Sequence, residues 1–285
     1  MKKISIILIF ICFNHLFGNI GSSYQYGYSA KAFSLSDALV ADNYNTFQTF
    51  SNPASLNECE GSNYGVSYFS MSLDRSIQTF YISRSLAGNA GVSMAVLRSS
   101  SGDFMGKDLF NNPTKEISMS DYYGLLSFGV KLFGEHAIGL SMKLHYSNLN
   151  INQDHADKYT GNSIVVDIGW KKSISGKLNL GLKVENIINP ILNWNIDIGS
   201  GFPTTYTEEY PLIVSFGSIY QLNKSHKILI QSDYMHYDSH KRYISKLGYQ
   251  YLMTDHFSIR LGLKGKTDAR FGFGYSFDIN DKFPL

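Results

Sequence analysis

The chain is poor in the residues that staple or interrupt a fold. Of its two cysteines, Cys12 lies in an apolar N-terminal stretch, which leaves Cys59. One cysteine forms no internal disulfide, so a disulfide-stapled secreted domain is excluded. Cys59 reads as a small, partly buried residue, because a catalytic thiol needs a histidine partner that the sequence does not place near it. Six prolines in 285 residues leave long segments uninterrupted. Neither sign of charge dominates: the net charge of +2 provides no basic field for nucleic acid. Beyond the N-terminal stretch no run is apolar enough for a helical membrane span, which needs about 20 residues. Gly-x-Ser-x-Gly and His-Glu-x-x-His are both missing, and no nucleophile–base–carboxylate set stands out, so the expected protein is not an enzyme and uses no cofactor and no metal, with an outer-membrane barrel enzyme as the least favoured alternative.

What is present begins with export. Lys2 and Lys3 precede an apolar run from Ile4 to Phe17, and small residues follow at Gly18, Gly21, Ser22 and Ser23. This is the layout of a secretory signal peptide, taken here as residues 1–21. The rest is aromatic and glycine-rich, with 20 Tyr, 19 Phe, 2 Trp and 25 Gly in the full sequence.

From about residue 63 the pattern becomes a period-two alternation, which sends successive side chains to opposite faces of a strand. Ile138, Leu140, Met142, Leu144 and Tyr146 share one face, while Gly139, Ser141, Lys143 and His145 share the other. Ile164 to Lys171, Leu178 to Glu185, Phe257 to Lys264 and Arg270 to Phe277 repeat it. The pattern predicts twelve strands, at 63–73, 76–85, 90–98, 121–132, 136–148, 163–173, 177–187, 210–221, 226–237, 243–252, 256–264 and 269–278. A soluble sandwich and a membrane barrel both alternate. Three features favour the barrel: strands of the length that a tilted strand needs to cross lipid, aromatics near strand ends, and short links alternating with long ones at 99–120, 149–162 and 188–209. The expected fold is all-β, an antiparallel transmembrane β-barrel over residues 63–285, located in the outer membrane and in contact with its lipid.

Residues 22–62 do not alternate, and they are expected to form a short plug or periplasmic segment, with a helix beginning after a cap at Ser34 or Ser36. Ala38, Ala41 and Asp42, followed by Asn52-Pro53-Ala54 and Leu56 directly before the first strand, resemble the PorV/PorQ family, relatives of the FadL-type transporters of hydrophobic compounds. Asp167-Ile168-Gly169 and Leu180 to Ile187 resemble a second family stretch, with Ile188 where glycine is usual. Leu35-Ser36-Asp37-Ala38 departs from the family's Gly-Gly-Ala before the aspartate. The resemblance implies fourteen strands, so twelve visible ones imply a missing closing hairpin and a truncated copy. It also implies a lumen closed by the N-terminal segment, through Asp37, Asp42, Asn52, Pro53 and Ala54. Two roles follow from it. One is protein secretion (type IX system) or cell-surface assembly, with secretion components or exported cargo as partners. The other is FadL-like passage of a hydrophobic solute.

The residues leave two further candidates. Asp154-His155-Ala156-Asp157 reads as a solvated loop rather than a cation site, having too few spaced ligands. Lys143, His145, Asp167, Lys183, Glu185, Arg260, Lys264 and Arg270 fall on the lumen-facing side of their strands, where cross-strand pairing or pairing with the plug is expected.

Overall fold

The structure is a computed structural model that describes residues 26–42, 46–107, 110–151, 158–197, 204–237 and 240–276. The leader and the 154–157 loop lie outside the described residues. Among the described residues three short helical segments come first: α1 (Ala30–Ser34), α2 (Gln48–Ser51) and a 3-10 turn (Pro53–Glu58). Fourteen strands follow: β1 (Ser62–Ser70), β2 (Ser76–Leu86), β3 (Ala90–Lys107), β4 (Pro113–Lys131), β5 (His136–Ile151), β6 (Lys158–Ser175), β7 (Leu178–Ile188), β8 (Ile191–Asp197), β9 (Thr204–Glu209), β10 (Leu212–Gln221), β11 (His226–Tyr237), β12 (His240–Leu252), β13 (Phe257–Lys264) and β14 (Asp268–Tyr275).

Twelve strands pair antiparallel in the row β1 to β7, then β10 to β14. The other two continue their neighbours. β8 resumes the course of β7 after Pro190 and pairs with the outer part of β6, while β9 leads into β10 across Pro211. Proline has no N–H to donate to a ladder, so both breaks fall where the chain lacks a donor. The twelve strands read from the sequence therefore correspond to the twelve of the row, and β8 and β9 raise the total to fourteen. No register joins β1 to β14 among the described residues. Phe33 of the plug nevertheless lies against both, with its ring 5.5 Å from Phe69 of β1 and 4.5 Å from the Arg270 guanidinium of β14.

The long links expected at 99–120, 149–162 and 188–209 are mostly strand. β3 and β4 stay paired out to Lys107 and Pro113, with a register shift between Ser100 and Asp103. Outside lipid the alternation of apolar and polar residues fades, but backbone N–H and C=O groups still need partners, and the ladder supplies them. The links at the opposite end, 87–89, 132–135, 176–177, 222–225 and 253–256, are short. The end with the short links is the turn end, and the opposite one is the loop end.

The two faces differ as the alternation requires. Leu140, Met142 and Leu144 point outward at 49, 36 and 41 % exposure, and the same holds on β3 and β4 for Val92, Met94, Val96, Leu126 and Phe128. A soluble monomer rarely exposes a continuous apolar surface of more than a few hundred Å², whereas this band suits lipid. Outward aromatics flank it, with Trp170, Tyr220 and Tyr251 toward the turn end and Tyr122, Tyr146 and Tyr243 toward the loop end. Tyr123 and Tyr210 also stand near strand ends in the sequence, but they face inward and are buried. No helix among the described residues is long and apolar enough to cross a membrane.

Candidate functional site: the lumen and its plug

Residues 26–42 and 46–61 fill the interior of the sheet. The helix expected after Ser34 or Ser36 begins earlier: Ser29 is the cap, and its Oγ accepts from Ala32 N at 3.1 Å. Ser36 and Asp37, with φ of 53° and 59°, instead turn the chain out of the helix.

The plug seats on the wall through a row of glycines. Gly91, Gly129, Gly139 and Gly169 are successive register partners on β3 to β6. A Cβ on Gly139 would overlap the backbone of Pro53 and Ala54, and one on Gly169 would overlap Asn52 Oδ1. Only glycine allows the plug backbone this close. Asn52 is fully buried and binds in several directions. Its Oδ1 accepts from Ala54 N at 3.0 Å, capping the 3-10 turn that begins with Pro53. Its Nδ2 donates to Val40 O at 2.7 Å and to Trp170 O of β6 at 3.1 Å. Asn52 thus ties two parts of the plug to each other and to the wall.

Charges hold one side of the plug. Asp42 pairs with Lys31 of the plug and with Lys227 of β11 at 3.5 Å. Burial alone would raise the Asp42 carboxyl, but Lys31, Lys227 and Lys171 outweigh it and hold the group well below the usual carboxylate range. Lys171 of β6 binds Glu58 at 2.7 Å. Lys246 of β12 bridges Asp37 at 3.0 Å and Asp233 of β11 at 2.7 Å. Lys183 of β7 donates to Phe50 O at 2.7 Å and pairs with Glu185 at 3.3 Å. Lys143 meets Asp167 at 3.4 Å, and Asp167 also accepts from Asn186 N at 2.9 Å. Arg270 pairs with Asp268 at 2.6 Å. Arg260 and Lys264 lie on the same face of β13 as Gly262, which meets Ser34 and Ser36 of the plug. Between plug and wall on this side is a cavity of about 40 Å³, bordered by Asp37, Lys183, Glu185, Asp233, Lys246 and Lys264. It has room for about one or two waters.

The other side of the plug is apolar. Tyr28, Leu39, Phe47 and Phe50 pack with Ile77 and Tyr81 of β2, Ala95 and Leu97 of β3, and Tyr123 and Leu125 of β4. Tyr28 stacks on Phe50 with centroids 4.8 Å apart. The lumen therefore has an apolar sector over β2 to β4, while the charges collect over β5 to β13, where Ile219 of β10 and Leu229 of β11 still belong to the apolar cluster.

A third cluster lies toward the loop end. His145 Nε2 is 3.1 Å from Asp121 Oδ1, and its Nδ1 bonds the Tyr210 hydroxyl. Tyr123 stacks on the imidazole at 4.1 Å, and Ser147 donates to Asp121 at 2.7 Å. Tyr210 occupies the break between β9 and β10, where its N–H reaches Pro190 O at 2.7 Å, so the cluster braces both wall breaks. Sequence reasoning selected His145 but neither Asp121 nor Tyr210. Tyr210-Pro211, a strand break in an otherwise continuous pattern, was the one available signal.

No protein-family model and no curated protein matches the sequence. Solved structures do match in shape. The Pseudomonas putida toluene transporter TodX superposes with a TM-score of 0.63 at 11 % identity, over 90 % of each chain. The Ralstonia pickettii toluene transporter TbuX gives 0.62 at 10 %, over 90 % of this chain and 91 % of that one. A Pseudomonas aeruginosa FadL homologue gives 0.57 at 9 %, over 83 % and 79 %. The chain has the fold of the FadL-type channels, a plugged antiparallel barrel.

Proposed function

We propose that the chain is a bacterial outer-membrane barrel that passes small hydrophobic molecules past its plug. The observation that carries this reading is the apolar sector of the lumen, where Ile77, Leu97 and Leu125 of the wall face Phe47 and Phe50 of the plug. A hydrophobic solute entering from the loop end loses nothing by leaving water along such a surface. The likeness in fold to proteins described as toluene transporters supports it. The protein acts without catalysis: it selects and conducts. The test is permeation into proteoliposomes of a monoaromatic hydrocarbon and of a sugar of similar size. Hydrocarbon entry faster than in empty liposomes, reduced by Leu97→Asp and without matching sugar entry, is expected. Equal entry of both solutes, or none of either, overturns the reading.

A second reading is a sealed barrel serving protein secretion or cell-surface assembly. The charged sector favours it, since its pairs fill the lumen around a cavity of only about 40 Å³. It expects deletion of the gene to change the secreted and surface proteins while leaving hydrocarbon uptake untouched.

A further inference from the structure

Three neighbouring strands change character at one level of the outer surface. On β3, outward Val96 gives way to Arg98 and Ser100. On β4, Leu126 gives way to Tyr122 and Ser120, and on β5, Leu144 to Tyr146 and Asn148. The register aligns these changes: Arg98 lies opposite Tyr122 and Tyr122 opposite Tyr146, and one step further out Ser100 lies opposite Ser120 and Ser120 opposite Asn148. The first row belongs to the aromatic belt, at the depth where a membrane barrel meets the lipid headgroups. The second row lies just beyond it.

The surface there is concave. The β1–β2 turn leans over the patch and meets β3 at Gly102, whose φ is 69°. A Cβ at Gly102 would lie 2.6 Å from Leu73 O. The resulting cleft has a volume of about 490 Å³, within the range of about 300–1,000 Å³ for small-molecule sites. Hydroxyls and carboxamides dominate its lining, among them Ser118, Ser120, Asn148 and Asn150, with Tyr122 at the lipid end. One cation, Arg98, stands against two carboxylates, Asp74 and Asp103.

That chemistry narrows the occupant. Hydrocarbon gains nothing from a lining of hydroxyls and amides. Phosphate and carboxylate headgroups meet a net negative rim. A neutral sugar fits, because each hydroxyl both donates and accepts, as serine, asparagine and aspartate allow, and because an aromatic ring offers an apolar face to the ring of a sugar. The cleft opens outward, along the membrane plane and away from the lumen, so its occupant is a resident of the leaflet and not a conducted solute. We propose that this cleft binds the neutral sugar headgroup of a glycolipid in the loop-end leaflet. The inference rests on the membrane-barrel reading and is independent of what passes through the lumen.

The test uses the full chain folded in detergent micelles, with heat-modifiable migration on gels reporting the barrel. A neutral dihexosyl diacylglycerol, the matching diacylglycerol without sugar, and phosphatidylglycerol are compared by native mass spectrometry. The dihexosyl lipid is expected to be retained preferentially. Ser120→Leu with Asn148→Leu, which fills the cleft, is expected to weaken retention by about 10- to 100-fold, the loss of a few hydrogen bonds. Asn150→Ala, at an exposed position, is expected to weaken it less, without filling the cleft. Equal retention of the sugar-free lipid, preference for phosphatidylglycerol, or unchanged binding by both variants overturns the proposal. A chain that never migrates as a heat-modifiable species overturns instead the barrel reading beneath it.

Discussion

Replacing Asn52 by alanine removes one side chain that bonds to three separate parts of the interior. The cap to Ala54 N at 3.0 Å is lost, as are the donations to Val40 O at 2.7 Å and Trp170 O at 3.1 Å. Each such bond contributes about 1 kcal/mol net, and a buried acceptor left unpaired adds to the loss, so about 3 kcal/mol is expected. The wall makes its own ladder and is untouched, so the loss falls on the seating of the plug. Local opening of a cooperative unit is then more populated by about 10²-fold. Trypsin reads this population at Lys31, which is buried in the seated plug. When opening and closing are fast relative to cleavage, the cleavage rate tracks the open fraction. Cleavage after Lys31 in the folded, micelle-embedded protein is therefore expected to accelerate by about two orders of magnitude. Asn52→Asp keeps an acceptor for the cap but loses the donations and places a charge beside carbonyl oxygens, so it should protect no better. A cleavage rate within about threefold of the parent, measured in that regime, would refute the role assigned to Asn52.

Four further perturbations address other parts of the interior. Gly169→Val drives two methyls toward Asn52 and Pro53, so it should unseat the plug and raise ion conductance in planar bilayers, whereas Gly176→Ala, with nothing within 4 Å, should leave conductance unchanged. Because the Asp42 pKa is depressed in the folded chain, its contribution is complete above the unfolded value of about 3.9 and is lost as pH falls through the lower folded value; plug protection measured by hydrogen exchange should decline on acidification below about pH 4, and that component should be absent in Asp42→Asn. Tyr210→Phe leaves His145 Nδ1 without its hydroxyl partner, at a cost of about 1–3 kcal/mol, and should speed hydrogen exchange in β8 and β9 while leaving β12 and β13 unchanged. A bismaleimide bridge between Phe47→Cys and Tyr81→Cys, whose rings are 5.4 Å apart in the parent, should block hydrocarbon passage; passage at the unbridged rate would exclude a route on this side of the plug.

The wall was legible in the sequence because its cause is local. Ile138 to Tyr146 alternate because each second residue meets lipid, and no distant contact is needed to see it. The outer lengths of β3 and β4 were not legible, because beyond Arg98 and Tyr122 both faces meet water and the alternation that betrays a strand is gone. Asn52-Pro53-Ala54 was visible as a motif, but its partners were not. Val40 O and Trp170 O are backbone atoms that any residue could supply, and the row from Gly91 to Gly169 exists only once four strands are placed in register. Lys143, Lys183 and Arg270 could be assigned to a face by counting, yet the pairing of Lys246 with both Asp37 and Asp233 depends on where the plug comes to rest. The same holds for His145, whose partners are 24 and 65 residues away in sequence.

The division of the lumen into two sectors also bears on how the plug would yield. Opening the charged side separates Asp42 from Lys227, Asp37 from Lys246 and Glu58 from Lys171. Breaking a fully buried pair costs about 3–5 kcal/mol; these three cost less, because Lys227, Asp37 and Glu58 are 20, 22 and 34 % exposed, but each buried partner still loses its counter-charge. Opening the apolar side exposes surface at about 25 cal/mol per Å², so a gap of about 100 Å² costs about 2.5 kcal/mol. A hydrophobic solute entering that gap restores most of this loss by covering the same surface, whereas it does nothing for separated charges. The apolar side is therefore the easier one to open, and under the proposed conducting function the solute would itself assist. On this account the lysine–carboxylate pairs, which first count against a conducting lumen, act as the fixed side of the plug. They hold it in place while Phe47 moves away from β2, Phe50 staying tied to the fixed side through the bond of its carbonyl to Lys183.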